Sequence, residues 1–271
     1  MFSPSALMWD RVRLRRNGAA WVSAKGIKAE SLISVRRCSG PTAWMVDHLV
    51  TPAREKGPCC ELLEAAASHA GRHGAERIFL RLPNTWHLLE TARYSGFLPC
   101  MLVFLLTLPG RGLPLGVEPL ESLRPRIPSD DHLLFRLYNA ATPPGVRSGI
   151  GITLQQWKDA QEPQTRGTRE LVVQEADTIK AWLRFDQHRR WTAVRLTVHP
   201  DWTSDFRPLI AAVLALKGAR ALCWEVPETH SALRLLLERL GFETAGTYRL
   251  MVKPLAARVK RPAMAVVPTS G

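Results

Sequence analysis

The stretch Arg54-Glu-Lys-Gly57-Pro-Cys59 has residue types and spacing that imply chemistry. It follows residues 44–50, a run rich in β-branched and aromatic residues that reads as a strand. It precedes residues 60–70, where Leu62, Leu63, Ala66, Ala67 and Ala70 recur at helical spacing. A helix N-terminus has unpaired backbone N–H groups and a partial positive charge. A glycine in the strand-to-helix turn lets an anion approach those groups. Pro58 suits the first helical position, where an N–H would go unused. Arg54 and Lys56 add positive charge. The turn reads as a phosphate-type anion site; the alternative is a plain Gly-Pro helix start.

Other reactive side chains carry less. Asp47 and His48 lie on the strand before the turn and are placed either to act as a base or water-holder or simply to be hydrogen-bonded. His69 and His73 are four residues apart, but Gly71 lies between them and no H-E-x-x-H glutamate is present, so histidines complementing a helix C-terminus are expected rather than a metal site. Cys59 at a helix start could have a lowered pKa, yet no His/Asn partner set accompanies it.

The elements that must position these residues are laid out by an internal repeat. Gly74-Ala-Glu-Arg-Ile-Phe-Leu-Arg-Leu-Pro83 and Gly218-Ala-Arg-Ala-Leu-Cys-Trp-Glu-Val-Pro227 share a pattern at an offset of 144 residues. Gly96-Phe97 matches Gly241-Phe242 and Pro109 matches Pro254, both at 145, and Val50-Thr-Pro52 resembles Val198-His-Pro200 at 148. Each copy predicts strand, helix, strand, helix, strand. In the first these are residues 44–50, a helix from Pro58 to Gly71 or Gly74, 78–82, 85–95 and 97–108, the last being one strand or two broken at Pro99. In the second, residues 194–198 form a strand, and Leu233, Leu236, Leu237 and Leu240 make the late helix stripe. This is an α/β (α+β) pattern of mixed sheets flanked by helices. Expected boundaries are 1–108 for the first domain, 109–119 for a Pro/Gly-rich linker, 120–255 for the second domain and 256–271 for a disordered tail.

On these residues the chain resembles the GCN5-related N-acetyltransferase superfamily, in tandem form. Leu196-Thr-Val-His-Pro200 matches that family's strand ending L-x-V-x-P. Arg54-Glu-Lys-Gly57-Pro-Cys59 approximates its Q/R-x-x-G-x-G/A turn, with Cys59 replacing the small residue. Val226-Pro227, Leu240-Gly-Phe242 and the opening Leu123-Arg-Pro-Arg-Ile-Pro-Ser-Asp130 match further elements. The resemblance covers roughly residues 20–110 and 120–255. It implies an acyl-CoA-dependent N-acyltransferase, with acetyl-CoA as co-substrate and a small-molecule or peptide amine as acceptor. It places Val50, Arg54, Lys56, Gly57, Pro58, Cys59 and Asn84 at the cofactor; Asn84 reads equally as a helix cap. The tyrosine that many members use as an acid is replaced by Ala92 and Leu237. Tyr94 is the nearest substitute, or else a packing tyrosine, and Asp47 is the candidate base. The first copy starts at its second strand, residues 20–24. The second has fuller opening helices, residues 130–141 and 153–161, which in such folds shape the acceptor pocket. Its turn, Asp201-Trp-Thr-Ser-Asp-Phe-Arg207, has no glycine and two acids, so it is expected to be degenerate. A catalytically inactive ligand- or protein-binding module is the alternative.

Composition sets the outer bounds. Of 271 residues, 46% are hydrophobic and 23% charged, which excludes a wholly disordered chain. The net charge of +13 favours anionic partners, but residues 1–110 and the remainder carry +6 and +7, with no long basic run. Nucleic acid is therefore not an expected partner. The longest apolar stretch, 97–109, contains Pro99 and is too short for a bilayer needing ~20 residues. Five cysteines without a C-x-x-C pair, and a start without a secretory pattern, predict a reduced, cytoplasmic protein.

Overall fold

A computed structural model describes residues 18–25, 28–52, 56–84, 86–108, 116, 120, 122–151, 153–202, 205–217 and 220–255. The first copy contributes β1 (Gly18–Lys25), β2 (Lys28–Arg37), β3 (Ala43–Val50), α1 (Lys56–Arg72), β4 (Arg77–Pro83), α2 (Trp86–Tyr94) and β5 (Leu98–Leu108). The second contributes β6 (Leu123–Pro125), α3 (Asp131–Ala141), α4 (Pro144–Ile150), α5 (Leu154–Ala160), β7 (Thr168–Glu175), β8 (Thr178–Gln187), β9 (Trp191–Val198), α6 (Arg207–Lys217), β10 (Ala221–Pro227), α7 (Ser231–Arg239) and β11 (Glu243–Pro254).

Helix ends repeat between the copies for one physical reason. Gly96 and Gly241 have φ of 79° and 86°, a left-handed conformation that disfavours any side chain. After α2 the Phe97 N–H reaches back to the Ala92 carbonyl at 2.9 Å; after α7 the Phe242 N–H reaches Leu237 at 3.0 Å. These are Schellman-type closures, and both phenylalanines drop into the core beyond them. α1 ends likewise at Gly74, with φ of 85° and the Ala75 N–H bonded to the Ala70 carbonyl. It runs straight through Gly71.

The strands join one eleven-stranded sheet in the order β1-β2-β3-β4-β11-β5-β10-β9-β8-β7-β6. β3 and β4 are adjacent and parallel, as are β9 and β10. The two copies do not close as separate sheets. β11 pairs antiparallel with both β4 and β5, and β5 pairs antiparallel with both β11 and β10. The last strand of each copy is thus inserted into the other. β5 is one strand rather than two, and the residue after Pro99 is absorbed by a register shift opposite Leu250 and Met251.

One sheet face packs against α1 and α6. Leu63, Ala66 and Ala70 meet Trp44, Ile78 and Leu80, while Leu209, Ile210 and Val213 meet Val194, Leu222 and Trp224. The opposite face is roofed by α3–α5 of the second copy, which also bind the first. The Asp159 carboxylate accepts the Thr42 hydroxyl at 2.6 Å. A Cβ on Gly40 would lie 2.0 Å from Asp159 Oδ1, so only glycine fits that turn. Arg77 Nη1 donates to the Ile150 carbonyl at 2.6 Å. The first copy thus shares its partner's helices.

Because β5 and β11 find their pairing across the copies, proteolytic cleavage within 109–119 should leave two fragments that elute together on gel filtration and part only in denaturant. Separation under native conditions would contradict the strand exchange.

Candidate functional site

The two parallel ladders end at equivalent points. β3 and β4 pair from Ala43↔Arg77 to Met45↔Phe79, although the strands continue to Val50 and Pro83. β9 and β10 pair as far as Arg195↔Glu225. Each cleft leads to a helix start, but the two starts differ. Neither helix has an acid in its first turn, and no described atom lies within 4 Å of a Cβ built on Gly57. At α6 the Asp205 carboxylate accepts the Arg207 N–H at 3.0 Å and pairs with the Arg207 guanidinium. The backbone bond from Arg207 holds the Asp205 carboxyl below its ordinary range. The second copy's helix start is therefore filled by its own anion, where a bound phosphate would otherwise be drawn.

Under the α3–α5 roof lies a cavity of about 250 Å³. It reaches from Met45 and Phe79, where the first ladder ends, to Arg195 and Leu196 at the second. A chain of charges runs beneath it. Arg36 Nε donates to Asp47 Oδ1 at 2.7 Å, and its Nη2 donates to Glu162 Oε2 at 2.5 Å. Arg81 Nη2 donates to Glu162 Oε1 at 2.9 Å. The Arg81 guanidinium lies 5.7 Å from the Tyr248 ring centroid. The Tyr248 hydroxyl donates to Glu225 Oε2 at 3.0 Å, which also receives Arg195 Nε at 2.9 Å. The chain passes from β2 to β9 and uses residues of both copies.

Burial raises the Glu162 carboxyl, but Arg81 and Arg36 outweigh it and hold it well below the usual carboxylate range. Glu225 is lowered in the same way, with burial opposed by Arg195 and Arg81. Burial, reinforced by Glu225, keeps the Tyr248 phenol protonated far above neutral pH. Burial lowers the His230 imidazole, so it is neutral at pH 7.

The expected site residues are only partly gathered. Val50, 41% exposed, ends β3 near the open turn. Arg54 lies outside the described residues, as does the side chain of Lys56. Gly57 is exposed on the first turn of α1 and Pro58 follows it. The Cys59 side chain requires a correction. It is 2% exposed in the core beneath α1, and burial pushes its thiol up to about 11, so only its backbone is available to an anion and it is no activated nucleophile. Asn84 is exposed after β4, its N–H bonded to the Thr247 carbonyl at 3.2 Å. Asp47 is held by Arg36, and His48 by Ser34 at 2.8 Å. Tyr94 is 76% exposed at the end of α2 and does not line the cavity. The His69 and His73 rings lie 4.1 Å apart, tilted to each other, beside Trp44.

Sequence reasoning missed the charge chain. Its signal was present. Arg81 and Glu225 occupy equivalent positions of the repeat, each a charge inside an apolar strand. A buried strand tolerates such a residue only with a partner.

Comparison with solved structures gives the fold. A GCN5-related N-acetyltransferase from Sphaerobacter thermophilus matches with a TM-score of 0.53 at 16% identity, over 92% of this chain and 84% of that one. A functionally unknown conserved protein from Staphylococcus epidermidis matches with 0.59 at 12% identity, over 87% and 96%. A tandem GNAT protein from the clavulanic acid biosynthesis pathway matches with 0.51 at 14%, over 90% and 85%. No protein-family model and no curated protein matches the chain. The chain has the fold of the GCN5-related N-acetyltransferases, and its eleven-stranded sheet is consistent with the tandem form. Among the described residues, no helix is long and apolar enough to cross a membrane.

The charge chain should show in stability. Glu162 and Glu225 have depressed folded pKa values, so their contribution is present above the unfolded carboxylate range near ~4.3 and is lost as pH falls below it. Glu162→Gln leaves Arg36 and Arg81 without their shared anion. It should cost about 3–5 kcal/mol at pH 7 and reduce the loss of stability between about pH 5 and pH 2, measured by urea unfolding across that range.

Proposed function

We propose that the protein transfers an acyl group, acetyl in the simplest case, from a coenzyme A thioester to a small amine. The thioester's pyrophosphate lies at the start of α1 in the first copy. The observation that carries this reading is the contrast between the two helix starts: no described atom lies within 4 Å of a Cβ built on Gly57 of α1, whereas Asp205 accepts the Arg207 N–H at the start of α6. Backbone N–H groups of the first turn bind the pyrophosphate, with Arg54 and Lys56 as charged flanks and Val50 and Asn84 at the rim. The β3–β4 cleft leads the thioester toward the cavity. There the amine nitrogen attacks the thioester carbonyl; a C–N bond forms, the C–S bond breaks, and the amine proton leaves as the departing thiolate takes one up.

A second reading keeps the fold without catalysis, as a ligand- or protein-binding module. It is favoured by Ala92 and Leu237, fully buried apolar side chains at the positions where an acid is expected from the family resemblance.

Calorimetric titration with acetyl-CoA tests the site. Gly57→Glu should abolish binding, because its carboxylate would stand where the phosphate oxygens belong. Arg54→Ala should weaken binding by ~1–2 kcal/mol, one charge-assisted bond being lost while the backbone donors remain. Full affinity in Gly57→Glu would place the cofactor elsewhere. Wild-type binding without release of free thiol in the presence of amines would favour the second reading.

A further inference from the structure

Four side chains that line the cavity each carry a buried polar atom with no hydrogen-bond partner among the described residues: Arg81 Nε, the Tyr138 hydroxyl, Trp182 Nε1 and His230 Nδ1. Of ten such atoms among the described residues, four belong to side chains around this one cavity, and that clustering points to a partner from outside the chain. Their chemistry restricts that partner. Guanidinium and indole N–H groups only donate. Burial raises the Tyr138 phenol well above its ordinary value, so it too keeps a proton to give. Three donors around one space call for acceptor oxygens, and a guanidinium among them favours a carboxylate.

The cavity also offers acceptors. Both hydrogen bonds that Glu225 receives, from Arg195 and Tyr248, fall on Oε2, leaving Oε1 unused by them. His230 is neutral, so Nδ1 is able to accept from an amine. The remaining wall is apolar. Trp157 and Trp182 lie 6.0 Å apart with Tyr138 beside Trp157, and Phe79, Met101 and Val146 close the space. The roof is firmly seated, since a Cβ on Gly149 would press to 3.0 Å against Cys100 and Val252. A small, half-open, mostly apolar chamber with convergent polar groups suits a small molecule.

We propose that this cavity binds a small α-amino acid with an aromatic or branched apolar side chain. Its carboxylate is received by Arg81, Tyr138 and Trp182, and its amine is directed to Glu225 and His230. On the acyl-transfer reading this molecule is the acceptor, and that assignment alone rests on that reading.

The test omits the thioester. Calorimetry and tryptophan fluorescence are followed during titration with L-phenylalanine, 2-phenylethylamine, which lacks the carboxylate, and 3-phenylpropionate, which lacks the amine. L-Phenylalanine should bind at least about tenfold tighter than either fragment. Trp182→Phe and Tyr138→Phe should each weaken L-phenylalanine and 3-phenylpropionate about fivefold, and Tyr138→Phe should leave 2-phenylethylamine unchanged. The free Tyr138→Phe variant should melt no lower than wild type, because it loses an unpaired buried hydroxyl and keeps its ring. The proposal is overturned if no probe binds at millimolar concentration. It is also overturned if 2-phenylethylamine matches L-phenylalanine, or if the variants alter nothing, which would mean that the cavity holds only water. Acyl transfer is then measured separately, by free thiol released from acetyl-CoA on adding L-phenylalanine. Binding without release upholds the cavity assignment and contradicts the acyl-transfer reading.

Discussion

The exchange of β5 and β11 is the constraint on which the rest of the structure depends. Each is an eleven- or twelve-residue strand whose two edges are paired, one by the opposite copy's β4 or β10 and the other by the exchanged strand itself. Without the exchange, each copy would present a long unpaired edge at its centre. With it, the sheet is continuous from β1 to β6, and its only free edges are the outer strands of the described residues. The roof follows from the same arrangement. The first copy has no counterpart of α3–α5 among its described residues, and the second copy's helices reach across the joined sheet to hold its β2–β3 turn through Asp159.

A joined sheet also creates the ionic chain. Arg81 and Glu225 are equivalent by repeat yet opposite in charge, and β11 sets Tyr248 between them. In a separate first copy Arg81 would be a lone charge inside an apolar strand, an expensive state. In the joined sheet Glu162 of the second copy neutralises it, while Glu225 is paired within its own copy by Arg195. The two copies have thus diverged in complementary ways. One keeps an open helix start, while the other has filled its own and supplies the roof, Tyr248 and most of the cavity wall.

Local physics made much of the fold legible from sequence. The apolar stripe at Leu62, Leu63, Ala66, Ala67 and Ala70 is buried as its spacing requires, and the Gly-Phe pairs mark helix closures because left-handed backbone selects glycine. The parallel pairing of β3 with β4 followed from the helix between them. The strand exchange was not legible, because pairing β11 with β4 rests on residues far apart in the chain and leaves no local pattern. α4, Pro144-Gly-Val-Arg-Ser-Gly-Ile150, lacks an apolar stripe because Gly149 is selected for close approach rather than for helicity. The cavity was hidden because Trp182 and Arg195 alternate with core residues and look like ordinary strand positions until the sheet face that they share is known.

Hydrogen–deuterium exchange with and without saturating acetyl-CoA tests the division of roles between the copies most directly. Bound ligand slows exchange where it orders backbone N–H groups. The account predicts new protection at the first turn of α1, around Gly57 and Cys59, and none at the start of α6, where Asp205 already holds the Arg207 N–H. Protection at α6 with α1 unchanged would contradict it.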